Sequence, residues 1–287
     1  MASSERGSII LGSVTAICVV FFWSGWIVIS RLGVTGHLTI FDLTGLRHGI
    51  GAVVALPYII WSRAWRGLTP WRTLFLTLTA GAPYALLSYS GFIYAPAAHG
   101  GVFLNGCLPI FTTLFAWIWL GQRSRFSQMV GLVIILAGVT LVGYEGFLSS
   151  GGSMTWIGDL LFLAAIALFA LFMVANQVWS VNPGQVIYSI TIVPAVDYTP
   201  IWLLWLDSNL TSAPASEIIL QGAYQGLVPS VVGISCLNIA VRHIGPRATS
   251  ALVSSVPVVA ALAAIPVLNE LPGLPAWIGM ITVSFGI

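Results

Sequence analysis

The sequence predicts an all-α polytopic membrane protein, with ten transmembrane helices arranged as two inverted five-helix repeats and both termini cytoplasmic. Three observations carry this expectation. Of 287 residues, 58% are hydrophobic and only 6% charged, where a soluble domain carries about 25% charged residues. Apolar runs near the roughly 20 residues that a spanning helix needs recur along the chain. All ten basic residues are Arg, and they gather at alternate connections. Such a chain has too few charges to coat a soluble enzyme or hold a nucleic acid, and it is too apolar to stay disordered.

The first run, 9–29, follows Arg6. It is too long for a signal-peptide core and lacks a small-residue cleavage site, so it reads as a first membrane helix. Further runs lie at 41–61, 73–94, 101–120, 128–144, 156–178, 185–206, 218–241, 248–268 and 275–287, with Arg, Gly, Pro, Ser and Thr punctuating them. The last has 13 residues, about 20 Å of helix against a hydrocarbon core of about 30 Å, so it reads as a cut-short or stunted helix. Cys18, Cys107 and Cys236 fall inside apolar runs without metal-ligand spacing and read as small buried residues. No metal or cofactor is expected.

The arginines set the orientation. With the N-terminus inside, the inner connections hold Arg6, Arg63, Arg66, Arg72, Arg123, Arg125, Arg242 and Arg247, and the outer ones only Arg31. Arg47 lies about a turn and a half into the second helix.

The chain also repeats itself. Sliding residues 100–139 onto 248–287 aligns Leu104 with Leu252, Pro109 with Pro257, Leu114 with Leu262, Ala116 with Ala264, Leu120 with Leu268, Gly131 with Gly279 and Gly138 with Gly286. Gln122 falls on Glu270. This divides the chain into a first repeat, 1–147, and a second, 148–287. Five is odd, so the second repeat enters the membrane upside down. An inverted repeat is a recurring plan of secondary transporters, in which two halves rock around a midplane site.

Two five-helix halves, each with Pro in its fourth helix (Pro109, Pro257), resemble the ten-helix EamA-type branch of the drug/metabolite transporter superfamily. In the second half Pro257, Glu270, Gly279 and Gly286 follow that family's pattern. In the first half Gln122 stands where the acid is usual. Trp23-Ser24-Gly25 is similar to the first-helix signature. The chain is most similar within the branch to bacterial inner-membrane exporters of aromatic amino acids. The resemblance implies a basket of helices 1, 3, 4, 6, 8 and 9 around a cavity, with helices 5 and 10 at the side.

Depth and helical face then nominate cavity residues: Trp23 and Trp26 in helix 1; Tyr84, Ser88 and Tyr89 in helix 3; Asn105 and Pro109 in helix 4; Phe169, Met173 and Asn176 in helix 6; Ser230 and Asn238 in helix 8; Ser254 and Pro257 in helix 9. Asn105 and Asn238 stand out because an amide in hydrocarbon needs a partner. Small residues at such spacings also serve helix packing. Coupling candidates are Glu270, at the outer end of helix 9, and Asp197, the deepest acid, expected to pair with Arg47. His48, His99 and His243 are expected near interfaces in solvated or capping roles.

Helix 1 has no acid, so the proton–cation exchange of the four-helix multidrug antiporters does not transfer. The cavity lacks the cluster of positive charges that a phosphorylated sugar needs. Aromatics, amides and hydroxyls suit a neutral or zwitterionic amphipathic solute, whose ammonium can lie over a ring. The expectation is an exporter of small amphipathic metabolites, aromatic and hydrophobic amino acids foremost, embedded in lipid and working as a monomer. The alternative is proton-coupled efflux of drugs or other metabolites. No H-E-x-x-H or G-x-S-x-G motif supports an enzyme.

Overall fold

The computed structural model describes residues 2–148, 154–228 and 232–287, with the backbone alone at 2–6, 148, 234 and 246. Every element among them is helical. α1 spans Ala2–Thr35 and α2 Ile40–Ser62. A capping box starts α2: the Thr39 hydroxyl accepts from the Asp42 amide, and the Asp42 carboxylate accepts from the Thr39 amide. Arg63, in the left-handed region, ends it.

The third expected helix is two pieces, α3 (Pro70–Ala80) and α4 (Ala82–Tyr94), broken at Gly81. α5 (Ala97–Gly100) passes through a π-helical stretch, Gly101–Gly106, into α6 (Leu108–Leu120). α7 covers Phe126–Leu148 and α8 Thr155–Trp179. α9 (Pro183–Ile187) passes through a second π-helical stretch, Tyr188–Ile192, into α10 (Val193–Trp205). α11 (Ala215–Leu227), α12 (Gly233–Val253), α13 (Val256–Leu268) and α14 (Leu274–Gly286) follow. α12 turns sharply at Gly245, where φ is 80°.

Among the described residues, seven helical segments are long and apolar enough to cross a membrane: Gly7–Thr35, Ile40–Ser62, Ala97–Leu120, Phe126–Phe147, Thr155–Trp179, Pro183–Trp205 and Arg247–Leu268. Large apolar side chains such as Trp61, Phe126 and Phe285 stand more than 80% exposed on the outside of the bundle, a surface suited to lipid rather than water.

The breaks have a common cause. Pro83, Pro109, Pro194 and Pro257 each sit in the first turn of a restarted helix. Proline lacks the amide that would bond four residues back, and its ring crowds that carbonyl. In a lipid-embedded bundle the freed carbonyls need donors, and α2 supplies one: His48 Nδ1 donates to Ile190 O, four residues before Pro194, at 3.1 Å. Other carbonyls near the breaks also accept from neighbouring helices: Thr77 Oγ1 donates to Ser189 O at 2.8 Å, Ser24 Oγ to Val256 O at 3.1 Å, and Ser284 Oγ to Ser254 O at 2.8 Å.

α1 packs on α12 and α13, while α8 packs on α4 and α6. α2 lies against α10, α11 and the second π-helical stretch, and α13 against α5 and the first one. α7 and α14 pair through glycines. A Cβ at Gly131 would lie 2.6 Å from Gly286 O, and one at Gly138 2.6 Å from Gly279 O. Added the other way, a Cβ at Gly279 would be 2.7 Å from Gly138 O, and one at Gly286 2.9 Å from Gly131 O. Only glycine permits backbones this close.

Candidate substrate-binding site

Between α1, α2 and α4 an arginine lies in an aromatic box. Arg47 extends over the Trp26 ring at 5.6 Å and the Tyr84 ring at 6.0 Å. Trp26 and Tyr84 are buried, Tyr89 is fully buried, and the Tyr89 side chain stands beside both Arg47 and Trp26. Phe92 meets Trp26 edge-on at 6.2 Å, and Phe169 lies 5.2 Å from Tyr84. An amide network braces the box: Tyr89 donates to Gln225 Oε1 at 3.0 Å, Gln225 Nε2 donates to Ser30 Oγ and Gln221 Oε1, each at 3.1 Å, and Gln221 Nε2 donates to Ile29 O at 2.9 Å. Arg47 Nη1 and Trp26 Nε1, both buried, reach no hydrogen-bond acceptor. Each cation–π contact contributes about 0.5–2 kcal/mol, whereas an uncompensated buried charge costs about 3–5 kcal/mol. The rings therefore offset only part of the arginine's desolvation.

The expected Arg47–Asp197 pair is absent. Asp197 is exposed on α10, and among the described residues the ion pairs are Arg31–Glu270, His37–Glu217 and His99–Asp159. The second π-helical stretch and α10 meet α2 through its Asp42, Gly45, His48 and Gly51 side. Arg47 turns instead toward Trp26 and Tyr84. Two histidine expectations also fail. His48 is buried, with Nδ1 donating to Ile190 O at 3.1 Å, and His99 is buried against Asp159 at 2.8 Å. His243 keeps an interfacial position, bonded to Ser8 Oγ at 2.8 Å.

The other nominated residues divide. Trp23 is half-buried and faces α12 at Gly233. Ser88 donates to Tyr84 O within its own helix at 2.8 Å. Asn105 Nδ2 reaches back to Gly101 O at 3.4 Å inside the π-helical stretch, just before Pro109. Pro257 is buried against Gly101. Met173 is 44% exposed and lines a cavity of about 300 Å³ with Thr112, Gln122 and Gln177. Asn176 keeps Oδ1 buried without a donor. Ser254 lines a second cavity of about 780 Å³ with Arg247, Ser250 and Ser284. Asn238 is exposed on α12. Ser230 lies outside the described residues.

Glu270 joins elements at the bundle end that holds Arg31. It accepts from Arg31 Nε at 2.6 Å and from the Ala97 amide at 2.8 Å, while Arg31 Nη1 also donates to Phe92 O. At the same end Glu145 accepts from the Gly273 amide at 2.9 Å, and His37 bonds Glu217 at 3.0 Å. Asp42 accepts from Trp202 Nε1, Ser208 Oγ and the Asn209 amide at 3.0, 2.6 and 2.9 Å. The opposite end, with Arg63, Arg123 and Arg247, carries the two cavities.

A profile of the EamA-like transporter family matches residues 10–144 and 156–287. The chain belongs to this family. The family is one of transporters. Among its relatives, a probable terminal-alkyne amino-acid exporter of Streptantibioticus cattleyicolor is 22% identical over 213 residues, covering 70% of this chain and 66% of the relative. The uncharacterized transporter YvbV of Bacillus subtilis is 35% identical over 63 residues, 22% of this chain and 20% of the relative. Human solute carrier family 35 member F6 is 35% identical over 79 residues, 26% of this chain and 21% of the relative. The matched stretches thus cover less than two thirds of each relative's length. A crystal structure 19% identical in sequence aligns over 96% of both chains with a TM-score of 0.65, which establishes the shared fold.

In this EamA-family transporter, sequence reasoning reached Trp26, Tyr84 and Tyr89 but passed over Gln221, Gln225 and Asp42. The glutamines had a signal: two amides four residues apart on an apolar helix, with Gly222 and Gly226 beside them. Thr39-x-x-Asp42 likewise carries the capping-box spacing.

Proposed function

We propose that the chain is an alternating-access exporter of small amphipathic metabolites, aromatic and hydrophobic amino acids foremost. It works as a monomer in a bacterial inner membrane, with both termini cytoplasmic. Two inverted halves, 1–147 and 148–287, form ten crossings: the seven long segments, the α3–α4 pair, the α11–α12 pair and α14.

The observation that carries this reading is the reciprocal glycine contact between α7 and α14. Gly131 meets Gly286 and Gly138 meets Gly279, so each glycine touches the repeat counterpart of the other. Such reciprocity is the mark of a twofold relation, and two halves so related can exchange roles across a membrane. The other packing partners support it: α8 on α4 and α6 mirrors α1 on α12 and α13.

The two ends supply the alternation. Arg31–Glu270, Glu145–Gly273, His37–Glu217 and the Asp42 cluster join the two halves at the arginine-poor end, which is outward in this orientation. The arginine-rich end holds cavities of about 300 and 780 Å³, and the arginine-poor end a smaller one of about 250 Å³ beside Glu270 and Glu145; the larger openings support a conformation that faces the cytoplasm. The exporter named among the relatives acts on an amino acid, and the aromatic box suits such cargo. With Asp197 exposed and the remaining acids near helix ends, downhill facilitation fits better than proton coupling.

Proteoliposomes test this. Labelled L-phenylalanine should exchange against unlabelled L-phenylalanine, unaffected by an imposed pH gradient. Gradient-driven accumulation would establish proton coupling. Competition by bulky organic cations, without preference for L-amino acids, would favour multidrug efflux.

A further inference from the structure

We propose that Arg47 and Trp26 form a carboxylate-binding subsite, and that the cargo of this transporter carries an anionic carboxylate next to an apolar group. The proposal deepens the transport reading above and rests on it for the word cargo.

The argument starts from what the box lacks. It holds two buried donors without an acceptor, Arg47 Nη1 and Trp26 Nε1. It holds no carboxylate. Asp42 accepts from Trp202, Ser208 and Asn209, Glu270 is held by Arg31, Asp159 by His99 and Glu217 by His37. The neighbouring groups add no charged acceptor. Tyr89 gives its proton to Gln225 and turns only a neutral oxygen toward Arg47 and Trp26, Gln225 spends both amide ends on Tyr89, Ser30 and Gln221, and Ser88 bonds Tyr84 O. His48 points Nδ1 to Ile190 on the other side of α2.

An arginine inside a membrane bundle is normally paired or functional. The residue as a whole is half-buried while its Nη1 is buried, so a solute that pairs with Nη1 enters by parting the rings around it. A guanidinium offers parallel N–H donors that match the two oxygens of a carboxylate, and a charge-assisted bond is stronger than a neutral one. The Trp26 indole N–H adds a third donor on the adjoining wall. Phe169 and Trp23, both half-buried and packed against the core that holds Trp26 and Tyr84, give the apolar part of the solute a place to lie. One cation fits one carboxylate, and a phosphomonoester, with nearly two charges, would lack its second partner.

The test uses the full chain purified in detergent, with two probes of equal shape: radiolabelled 3-phenylpropionate and the neutral 3-phenylpropionamide. The wild type should bind the carboxylate at least tenfold more tightly than the amide. Arg47→Gln should abolish that preference, Arg47→Lys should keep part of it, and Trp26→Phe should weaken carboxylate binding several-fold while leaving the amide unchanged. Equal binding of both probes by the wild type, or an undiminished preference in Arg47→Gln, would overturn the proposal. If Arg47→Gln does not fold, Arg47→Lys and Trp26→Phe decide it: wild-type preference in both overturns it. Carboxylate binding without any amino-acid flux would instead sink the transport reading and leave this subsite standing.

Discussion

Arg31 and Arg47 lie in consecutive helices and meet opposite surroundings. Arg31 bonds Glu270 and the Phe92 carbonyl, whereas Arg47 has rings for neighbours and a donor to spare. Removing the charge of Glu270 strands Arg31 and frees the Ala97 amide. Both side chains of the pair are about 80% buried, so Glu270→Gln should cost about 1–3 kcal/mol. It should also raise the reactivity of a cysteine placed near residue 31 toward an impermeant thiol reagent. Unchanged thermal unfolding and labelling would show that the pair holds nothing closed. Residue chemistry was legible where one side chain is enough to raise the question, as with Tyr89 and Glu270. It was not legible where the partner is remote in sequence. Nothing near Arg47 announces that Asp197 turns away, or that Asp42 is held by Trp202 and Ser208.

Helix breaks and glycine contacts belong to the next scale. The apolar runs locate most helices within a few residues, because a lipid-spanning helix must be long and apolar. The break at Gly81 and the π-helical stretches at Gly101–Gly106 and Tyr188–Ile192 escape that reasoning. A proline says that a carbonyl is freed, but the donor that satisfies it comes from another helix, as His48 does for Ile190. The same substitution at two glycines, Gly138 at the α7–α14 contact and Gly49 on α2, should give different results. A Cβ at Gly138 would meet Gly279 O at 2.6 Å, whereas one at Gly49 meets nothing within 4 Å. Gly138→Ala should therefore destabilise by about 1–3 kcal/mol, and Gly49→Ala should be neutral or slightly stabilising. Equal melting temperatures for the two variants would refute the close contact.

At the scale of the whole molecule, the two proposed halves differ in chemistry at matching positions. Glu270 locks the arginine-poor end to Arg31, while its repeat counterpart Gln122 lines an open cavity at the other end. One end thus closes with an ion pair, and the opposite end has only an amide at the matching place. The proposed alternating access predicts that transport requires Arg31 and Glu270 to part. The decisive measurement replaces Cys18, Cys107 and Cys236 by Ala, places cysteines at positions 31 and 270, and joins them with a short reducible cross-linker in proteoliposomes. The account predicts that L-phenylalanine exchange stops on cross-linking and returns on reduction. Exchange that continues at full rate with the two positions joined would contradict alternating access through that end.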